Sequence, residues 1–202
     1  MILFINACVK TESRTRKIAE KLLEKLGMDV TEVRLNEIEF PVTSEAFLGK
    51  RDCDISNRDY SNPYYDLAKQ FAKADTIVIA APYWDLSFPA VLKQYIEHIN
   101  VLGITFEYSK EGTSIGLCNA QKLYYVMTAG GAYVPEEFGF GYIKALAQNF
   151  YGIKDVELIK ATGLDIQGND AELILKDCIS QIEVINGKVD LSKYGIDEQQ
   201  FG

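Results

Sequence analysis

The chain has 202 residues, of which 48% are hydrophobic and 25% charged, with a formal net charge of −8. This length and composition are ordinary for one globular domain, so we treat residues 1–202 as a single domain. The acidic balance argues against a nucleic-acid or anionic-membrane partner, and no run approaches the roughly 20 apolar residues that a membrane span requires.

The cysteines indicate a cellular compartment rather than a metal site. Cys8, Cys53, Cys118 and Cys178 form no C-x-x-C pair, which gives metal, iron–sulfur and thioredoxin-type sites no support. Residues 1–7 are apolar but follow no basic region, so they are not interpreted as a signal peptide. Scattered thiols without a signal peptide indicate a reducing cytoplasm.

The first third of the chain predicts two strands and a helix. Ile2–Ile5 is an apolar run that predicts a buried strand, and Ser13–Leu26 is a helix that Gly27 ends. Residues 29–35 predict a second strand at a sheet edge. Residues 36–61 lack clear periodicity, so they predict a long connection, of the kind that often acts as a lid.

The stretch around residue 80 predicts strand, aromatic loop and helix in immediate succession. A helix at about 63–73 precedes Thr76–Ala81, an unbroken apolar run typical of a strand that is buried on both faces. The aromatic loop Pro82–Leu86 follows. The next helix carries apolar residues at helical spacing, with Ser87 as its expected N-cap.

The rest of the chain predicts a small β excursion from the main sheet, two further strand–helix pairs and a C-terminal tail. Residues 101–120 predict a small β excursion that turns at 110–112. The further pairs are predicted as a strand at 121–128, a helix at 138–151, a strand at 156–161 and a helix at 170–182. Residues 183–202 are a polar tail.

The order of elements predicts the fold class. Alternating strands and helices indicate an α/β three-layer sandwich with right-handed crossovers. Five strands favour a flavodoxin-like parallel sheet of order 2-1-3-4-5 over the six-stranded dinucleotide-binding fold. Ligands in such sheets bind beyond the carboxyl ends of the strands, where three loops of this chain are expected to meet.

The first of these loops, Asn6–Thr15, predicts an anion site. Helix-start amides, the hydroxyls of Ser13 and Thr15 and the charge of Arg14 all favour a bound anion. Neither G-x-G-x-x-G nor G-x-x-x-x-G-K is present, so a terminal phosphate monoester fits better than a dinucleotide or a nucleoside triphosphate. The alternative is that Ser13 acts only as an N-cap.

The other two loops suit a flat ligand. Pro82–Leu86 combines aromatic side chains with backbone amides, although Tyr83 and Trp84 have the alternative of packing on the following helix. The loop after the fourth strand of the sheet contains Gly130 and Gly131. Paired glycines make a turn, and they also allow a ligand to approach the backbone closely.

Several short motifs occur together in a characteristic order. They are S-R-T at 13–15, A-P-Y-W-D-L-S-F-P-A-V-L-K-Q-Y-I at 81–96, G-I-T-F-E-Y at 103–108, T-A-G-G at 128–131 and F-Y-G-I-K-D-V at 150–156. Over about residues 1–165 the chain thereby resembles the FMN-dependent NADH-azoreductase and NAD(P)H:quinone reductase family of the flavodoxin-like superfamily.

The resemblance implies one FMN in each subunit of a homodimer, with active sites at the dimer interface. It places the FMN phosphate on Ser13, Arg14 and Thr15. It places the ribityl chain and isoalloxazine ring along Pro82, Tyr83, Trp84, Asp85 and Leu86, and the polar edge of the ring at Thr128, Ala129, Gly130 and Gly131. It places Tyr108 and Phe150 at the pocket of the second substrate, with Tyr108 reaching across from the partner subunit.

The resemblance also implies an activity. NADH or NADPH donates a hydride to the flavin, which passes it to a small aromatic acceptor, a quinone or an azo compound. One shared pocket implies ping-pong kinetics. The flavin carries the chemistry, so no catalytic nucleophile and no metal are expected.

The chain departs from the family pattern at three places. Cys8, Val9 and Lys10 stand where serine, proline and arginine are common, and Asp85 stands where asparagine is common. The T-A-G-G segment lacks the arginine of some members. An anionic side chain beside the reduced flavin would lower the reduction potential of the flavin, unless only the backbone of Asp85 faces the ring.

Two residues invite other chemistry, and two other functions stay open. His98 lies near the far end of its helix, and Cys8 is near a helix start; we predict structural roles for both over acid–base or redox roles. A flavodoxin-like FMN electron carrier and a flavin-free interaction protein on the same fold remain alternatives.

Overall fold

The structure, a computed structural model, describes residues 1–182, so the predicted tail at 183–202 lies outside the described residues. Its strands are β1 (Ile2–Asn6), β2 (Val30–Arg34), β3 (Thr76–Ala80), β4 (Phe106–Tyr108), β5 (Ser114–Gly116), β6 (Lys122–Thr128) and β7 (Asp155–Ala161). Five of them form a parallel sheet of order β2-β1-β3-β6-β7. Numbered within the sheet this order is 2-1-3-4-5, so the predicted flavodoxin-like topology is confirmed, with β2 at an edge.

The α-helices are α1 (Arg14–Leu26), α2 (Glu45–Asn57), α3 (Asp66–Lys73), α4 (Ala90–Ile99), α5 (Phe140–Leu146) and α6 (Ala171–Ser180). Short 3-10 turns occupy Leu35–Glu37 and Pro63–Tyr65. No helix within residues 1–182 has the length and apolar character needed to cross a membrane.

The sheet separates two hydrophobic cores. Ile2 and Phe4 of β1 face the core that α1 and α6 close, where Ile18 and Leu22 are fully buried. The alternate residue Leu3 faces the other core, which α3, α4 and α5 cover. Because both faces are covered, the central strands β1, β3 and β6 have largely apolar sequences without alternation, as buried parallel strands do.

The expectation of an irregular connection at 36–61 is wrong, because the stretch contains the 13-residue helix α2. Ser44 is its N-cap, since its hydroxyl accepts a hydrogen bond from the backbone amide of Phe47 at 3.2 Å. None of the residues of α2 is buried. The helix therefore lacks the apolar stripe from which sequence periodicity is recognised.

Two other local expectations are also corrected. Ser87 does not cap α4; Pro89 occupies the N-cap position, and the Ser87 hydroxyl instead donates a hydrogen bond to the carbonyl of Phe138 at 2.9 Å. The helix predicted at 138–151 begins at Phe140 and changes to a π-helix at Ala147–Tyr151.

The predicted β excursion is present and is fixed to the body of the protein. Strands β4 and β5 pair in antiparallel fashion, with Phe106 opposite Gly116. The Cα of Gly116 lies directly against backbone: a Cβ there would be 2.2 Å from the amide nitrogen of Gly152. The Ser114 hydroxyl donates to the carbonyl of Asn149. The excursion is therefore a packed hairpin.

One buried hydroxyl has no hydrogen-bond partner among the described residues. The Tyr95 side chain is 1% exposed, and its hydroxyl contacts no donor or acceptor within residues 1–182. Burial raises its pKa. We expect Tyr95→Phe to raise the free energy of unfolding by about 1 kcal/mol, because it removes an unpaired buried polar group. Urea denaturation measures the change.

Tyr151→Phe is the matched control for Tyr95→Phe. Tyr151 is also buried, with 3% of its surface exposed, but its hydroxyl donates a hydrogen bond to Oδ1 of Asn100 at 2.6 Å. Removing that hydroxyl leaves the Asn100 oxygen without its donor and should lower the free energy of unfolding. Equal losses of stability in both variants would show that the Tyr95 hydroxyl has a partner.

Candidate functional site

The three predicted loops meet at the carboxyl edge of the sheet. The sheet ladder continues past the strand ends, since the amide of Ala7 donates to Ala80 and that of Ala81 to Val126, at 2.9 and 3.0 Å. The loops enclose a cleft of about 250 Å³, lined by Lys10, Glu12, Ser13, Arg14, Thr15, Pro82, Tyr83, Trp84, Thr128, Gly130 and Asp165. Each predicted loop therefore contributes to one common site.

The start of α1 forms the polar end of this cleft. Ser13 is the N-cap, and its hydroxyl accepts a hydrogen bond from the amide of Arg16 at 3.3 Å. The hydroxyls of Thr15 and Thr128 share a buried hydrogen bond of 2.7 Å, which joins the helix start to the end of β6. No acidic residue lies in the first turn of α1, so the positive end of the helix dipole is available to an anion.

The Arg14 side chain lies along the wall of the cleft. Its Nη2 atom is 2.9 Å from Oδ1 of Asp165, and its Nη1 atom donates to the carbonyl of Leu164 at 3.2 Å. Asp165 was not identified from the sequence. It follows the last strand of the sheet by a few residues, so the rule that pointed to the ends of β1, β3 and β6 would also have found it at the end of β7.

The aromatic loop forms the second wall. The amide of Tyr83 donates to the carbonyl of Thr128 at 2.9 Å, and the Tyr83 hydroxyl donates to the carbonyl of Pro135 at 3.1 Å. Trp84 is 42% exposed at the cleft. These contacts hold the backbone of the loop, while the indole face stays accessible to a flat ligand.

Asp85 and Leu86 form a tight turn beside the cleft rather than part of its lining. Trp84 and Ser87 exchange two backbone hydrogen bonds, of 3.1 and 2.8 Å. Between them Asp85 and Leu86 have φ angles of 50° and 69°. Left-handed backbone costs about 1–2 kcal/mol per residue with a side chain, and such strain is often found at ligand sites.

The loop after β6 is closely paired with the loop after β7. The carbonyls of Ala129, Gly130 and Gly131 accept hydrogen bonds from the amides of Leu164, Asp165 and Gly163. A Cβ at position 130 would be 2.2 Å from Oδ2 of Asp165. Gly130 is therefore required for the carboxylate to lie against the loop. Ala129 is buried, and neither it nor Gly131 lines the cleft.

Tyr108 and Phe150 lie outside this cleft. Tyr108 is 54% exposed on β4, beside a hollow that also includes Arg58 and Tyr60. Phe150 packs edge-on against Phe106, with the ring centroids 5.0 Å apart. A role of either residue in a substrate pocket therefore requires the cleft of another subunit.

Cys8 and His98, which were considered for redox and acid–base roles, have the contacts expected of structural residues. Cys8 is buried with its Sγ 3.7 Å from the carbonyl of Ala80, and burial raises the pKa of its thiol. His98 lies at the far end of α4, where its Nε2 donates to the carbonyl of Tyr64 at 2.9 Å. Burial lowers the pKa of His98, so its imidazole is held in the neutral form.

The fold and the cleft together define a flavodoxin-like protein in which the N-terminus of α1 adjoins an aromatic wall. Comparison with known proteins agrees with this class, because the family described as having a flavodoxin-like fold matches residues 1–185 of the chain. The FMN-dependent NADH:quinone oxidoreductase of Clostridium beijerinckii is 36% identical over 189 residues, which cover 89% of this chain and 94% of that one.

Another relative and a solved structure agree. The FMN-dependent NADH:quinone oxidoreductase of Clostridium perfringens strain ATCC 13124 is 37% identical over 180 residues, covering 85% of this chain and 90% of its own. The azoreductase structure from Bacillus anthracis superposes with a TM-score of 0.77 at 24% identity, covering 89% and 94% of the two chains, and shows that the fold is shared. The chain belongs to this flavodoxin-like family, and its relatives there are the FMN-dependent NADH:quinone oxidoreductases.

Proposed function

We propose that this protein is an FMN-dependent NAD(P)H oxidoreductase that transfers two electrons to quinones or azo compounds. The observation that carries the proposal is the cleft, in which the N-terminus of α1 and the Tyr83–Trp84 wall are contiguous. Relatives with 36% and 37% identity named FMN-dependent NADH:quinone oxidoreductase support it.

The residues of the cleft fit FMN. Its polar end offers the amides at the start of α1 and the hydroxyl of Ser13 to a phosphate. The exposed indole of Trp84 offers a flat apolar surface to a ring. Gly130 keeps the backbone after β6 free of a side chain. We assign the phosphate to Ser13 and Thr15 at the start of α1, and the ring to the residues of the other two loops that line the cleft, which are Pro82, Tyr83, Trp84, Thr128 and Gly130.

The protein supplies position and the bound cofactor supplies the redox chemistry. Bound FMN would supply the two-electron chemistry that connects NADH or NADPH to the acceptor. The hydrogen bonds of Tyr83 to Thr128 and Pro135 hold the aromatic wall at a fixed distance from the β6 loop. Because donor and acceptor use one cleft in turn, initial-rate measurements should give the parallel reciprocal plots of a ping-pong mechanism.

A homodimer is part of the same proposal. Tyr108 and Ile115, on the two strands of the hairpin, are 54% and 43% exposed, and Tyr108 cannot serve the cleft of its own chain. We propose that the hairpin completes the cleft of the partner subunit in a symmetric dimer, the commonest homo-oligomer. A cytoplasmic location fits the four cysteines, which all lie within residues 1–182 and are unpaired.

Tyr108→Ala should raise the apparent Michaelis constant for a quinone several-fold while the FMN content stays unchanged. An aromatic ring stacked on a flat acceptor contributes roughly 0.5–1.5 kcal/mol beyond area burial. Steady-state NADH oxidation with a quinone measures the effect. Ile115→Ala, a truncation of a similarly exposed residue on β5, is the control. Loss of flavin with unchanged quinone kinetics would instead make Tyr108 a structural residue.

An absorbance spectrum followed by an anaerobic NADH titration tests the proposed function. A yellow protein that is bleached by NADH and recoloured by a quinone supports the reductase. A yellow protein that is not turned over by NADH with a quinone or an azo dye would be an electron carrier. A colourless protein that does not take up added FMN would be a flavin-free member of the fold.

A further inference from the structure

Of the two cationic side chains that line the cleft, only Arg14 forms an ion pair with another of the described residues. Arg14 directs both terminal nitrogens to the β7 side, where they meet the Asp165 carboxylate and the Leu164 carbonyl. Lys10 lines the same cleft and is exposed, and it has no ion-pair or hydrogen-bond partner within residues 1–182. Glu12, the other acidic residue of the lining, also makes no such contact there. Arg14 is therefore held by its partners, whereas the Lys10 ammonium has none among the described residues.

Asp165 is itself fixed from two sides. Its Oδ1 contacts Arg14 at 2.9 Å, and its Oδ2 occupies the space where a side chain at position 130 would begin. Its backbone amide donates to the carbonyl of Gly130 at 3.0 Å. The carboxylate is therefore positioned to neutralise the guanidinium and to hold it against the wall.

We propose that Asp165 determines which cation of the cleft binds the phosphate of FMN: by holding Arg14, it leaves Lys10 to bind that phosphate. Lys10 is then a binding residue, and Asp165 is a positioning residue that acts through Arg14. The inference rests on the proposed function only in naming FMN as the source of the phosphate.

The chemistry of the two cations agrees with this division. An ammonium group on a flexible stem is a compact charge that can follow a phosphate, and its hydrogen bonds to phosphate are charge-assisted. A guanidinium that already donates to a carboxylate and a carbonyl has its charge partly neutralised, and only its remaining N–H groups are available to another anion. Arg14 thus ties α1 to the β7 loop, while Lys10 supplies the charge.

Titration calorimetry with FMN tests the two assignments. We expect Lys10→Met to weaken FMN binding about tenfold and to reduce its salt dependence, since one phosphate contact is lost. Arg14→Met should change the affinity less than threefold, a bound of the order expected for a half-buried charge that is already paired with an exposed carboxylate. Riboflavin, which has no phosphate, should bind each variant as it binds the wild type. A tenfold loss in Arg14→Met with none in Lys10→Met would overturn the proposal.

A rescue experiment tests the action of Asp165. Replacing Asp165 by Asn in the Lys10→Met background should restore most of the lost affinity, because Arg14 is released. Adding Arg14→Met should then abolish the rescue. Glu12→Gln in the Lys10→Met background is the matched control, since it raises the charge of the cleft equally without touching Arg14. Equal rescue by Glu12→Gln, or none by Asp165→Asn, would contradict the proposal.

Inorganic phosphate separates this inference from the proposed function. If the wild type binds no FMN, the proposed function fails, and the same variants are compared by the shift in melting temperature that inorganic phosphate causes. A shift lost in Lys10→Met and regained with Asp165→Asn supports the division of roles. A melting temperature of the wild type that phosphate leaves unchanged would overturn it.

Discussion

Gly116→Ala should lower the free energy of unfolding by about 3 kcal/mol, the upper end of the range for overpacking in a closely packed site. The new Cβ would lie 2.2 Å from both the amide nitrogen of Gly152 and the carbonyl carbon of Tyr151. Both atoms belong to the same peptide group, which cannot rotate away as a flexible side chain would. The hairpin must therefore move off the π-helix, which also displaces Tyr108. Urea denaturation measures the loss.

Gly49→Ala is the control for this prediction. Gly49 lies within α2, has open space around its Cα, and does not have a left-handed backbone. Alanine there should raise the free energy of unfolding by roughly 0.5–1 kcal/mol, because glycine loses more conformational freedom in a helix. A Gly116→Ala protein as stable as the wild type would show that the hairpin does not pack against Tyr151 and Gly152.

Ser13→Ala combined with Thr15→Ala should weaken FMN binding by one decade or more. Ser13 presents its hydroxyl at the helix start, and the Thr15 hydroxyl is held by that of Thr128. Hydrogen bonds to a charged group contribute about 1.5–3 kcal/mol each, which corresponds to at least tenfold in affinity. Titration calorimetry with FMN on the apoprotein gives the dissociation constant directly.

Ser44→Ala separates binding from stability in this experiment. Ser44 caps α2 through the same contact that Ser13 makes in α1, a hydroxyl that accepts from a backbone amide three residues on. Either substitution should cost about 1 kcal/mol of stability through the lost cap. Only the Ser13 and Thr15 changes should affect FMN binding. Unchanged affinity in the double variant would place the phosphate elsewhere.

The sheet and its ligand edge could be predicted from the sequence because parallel strands have a strong local signal. Runs such as Thr76–Ala81 are apolar without alternation, and each is followed by turn residues and then by a helix with an apolar face. The order of these pairs predicted the topology, and the topology brought the loops after β1, β3 and β6 together.

The remaining features depend on contacts between distant residues or lack a pattern. Helix α2 buries none of its residues, so its sequence has no stripe. The strand-end rule places Asp165 at the ligand edge of the sheet, but its ion pair with Arg14, 151 positions earlier, is visible only in the structure. Ser87 has the right spacing for a cap, yet Phe138 offers its hydroxyl a carbonyl acceptor from another part of the chain. Local sequence propensity does not determine any of these three features.

Trp84 is the single tryptophan of the chain, and it lies in the cleft. The near-ultraviolet emission of the protein therefore arises mainly at the wall that faces the proposed ring site, and not from an average over the core. In most proteins tryptophan emission is used to follow global folding, but in this protein it reports on one surface. The protein thus contains its own local probe of cleft occupancy, and unfolding has to be followed by a different signal, such as far-ultraviolet circular dichroism.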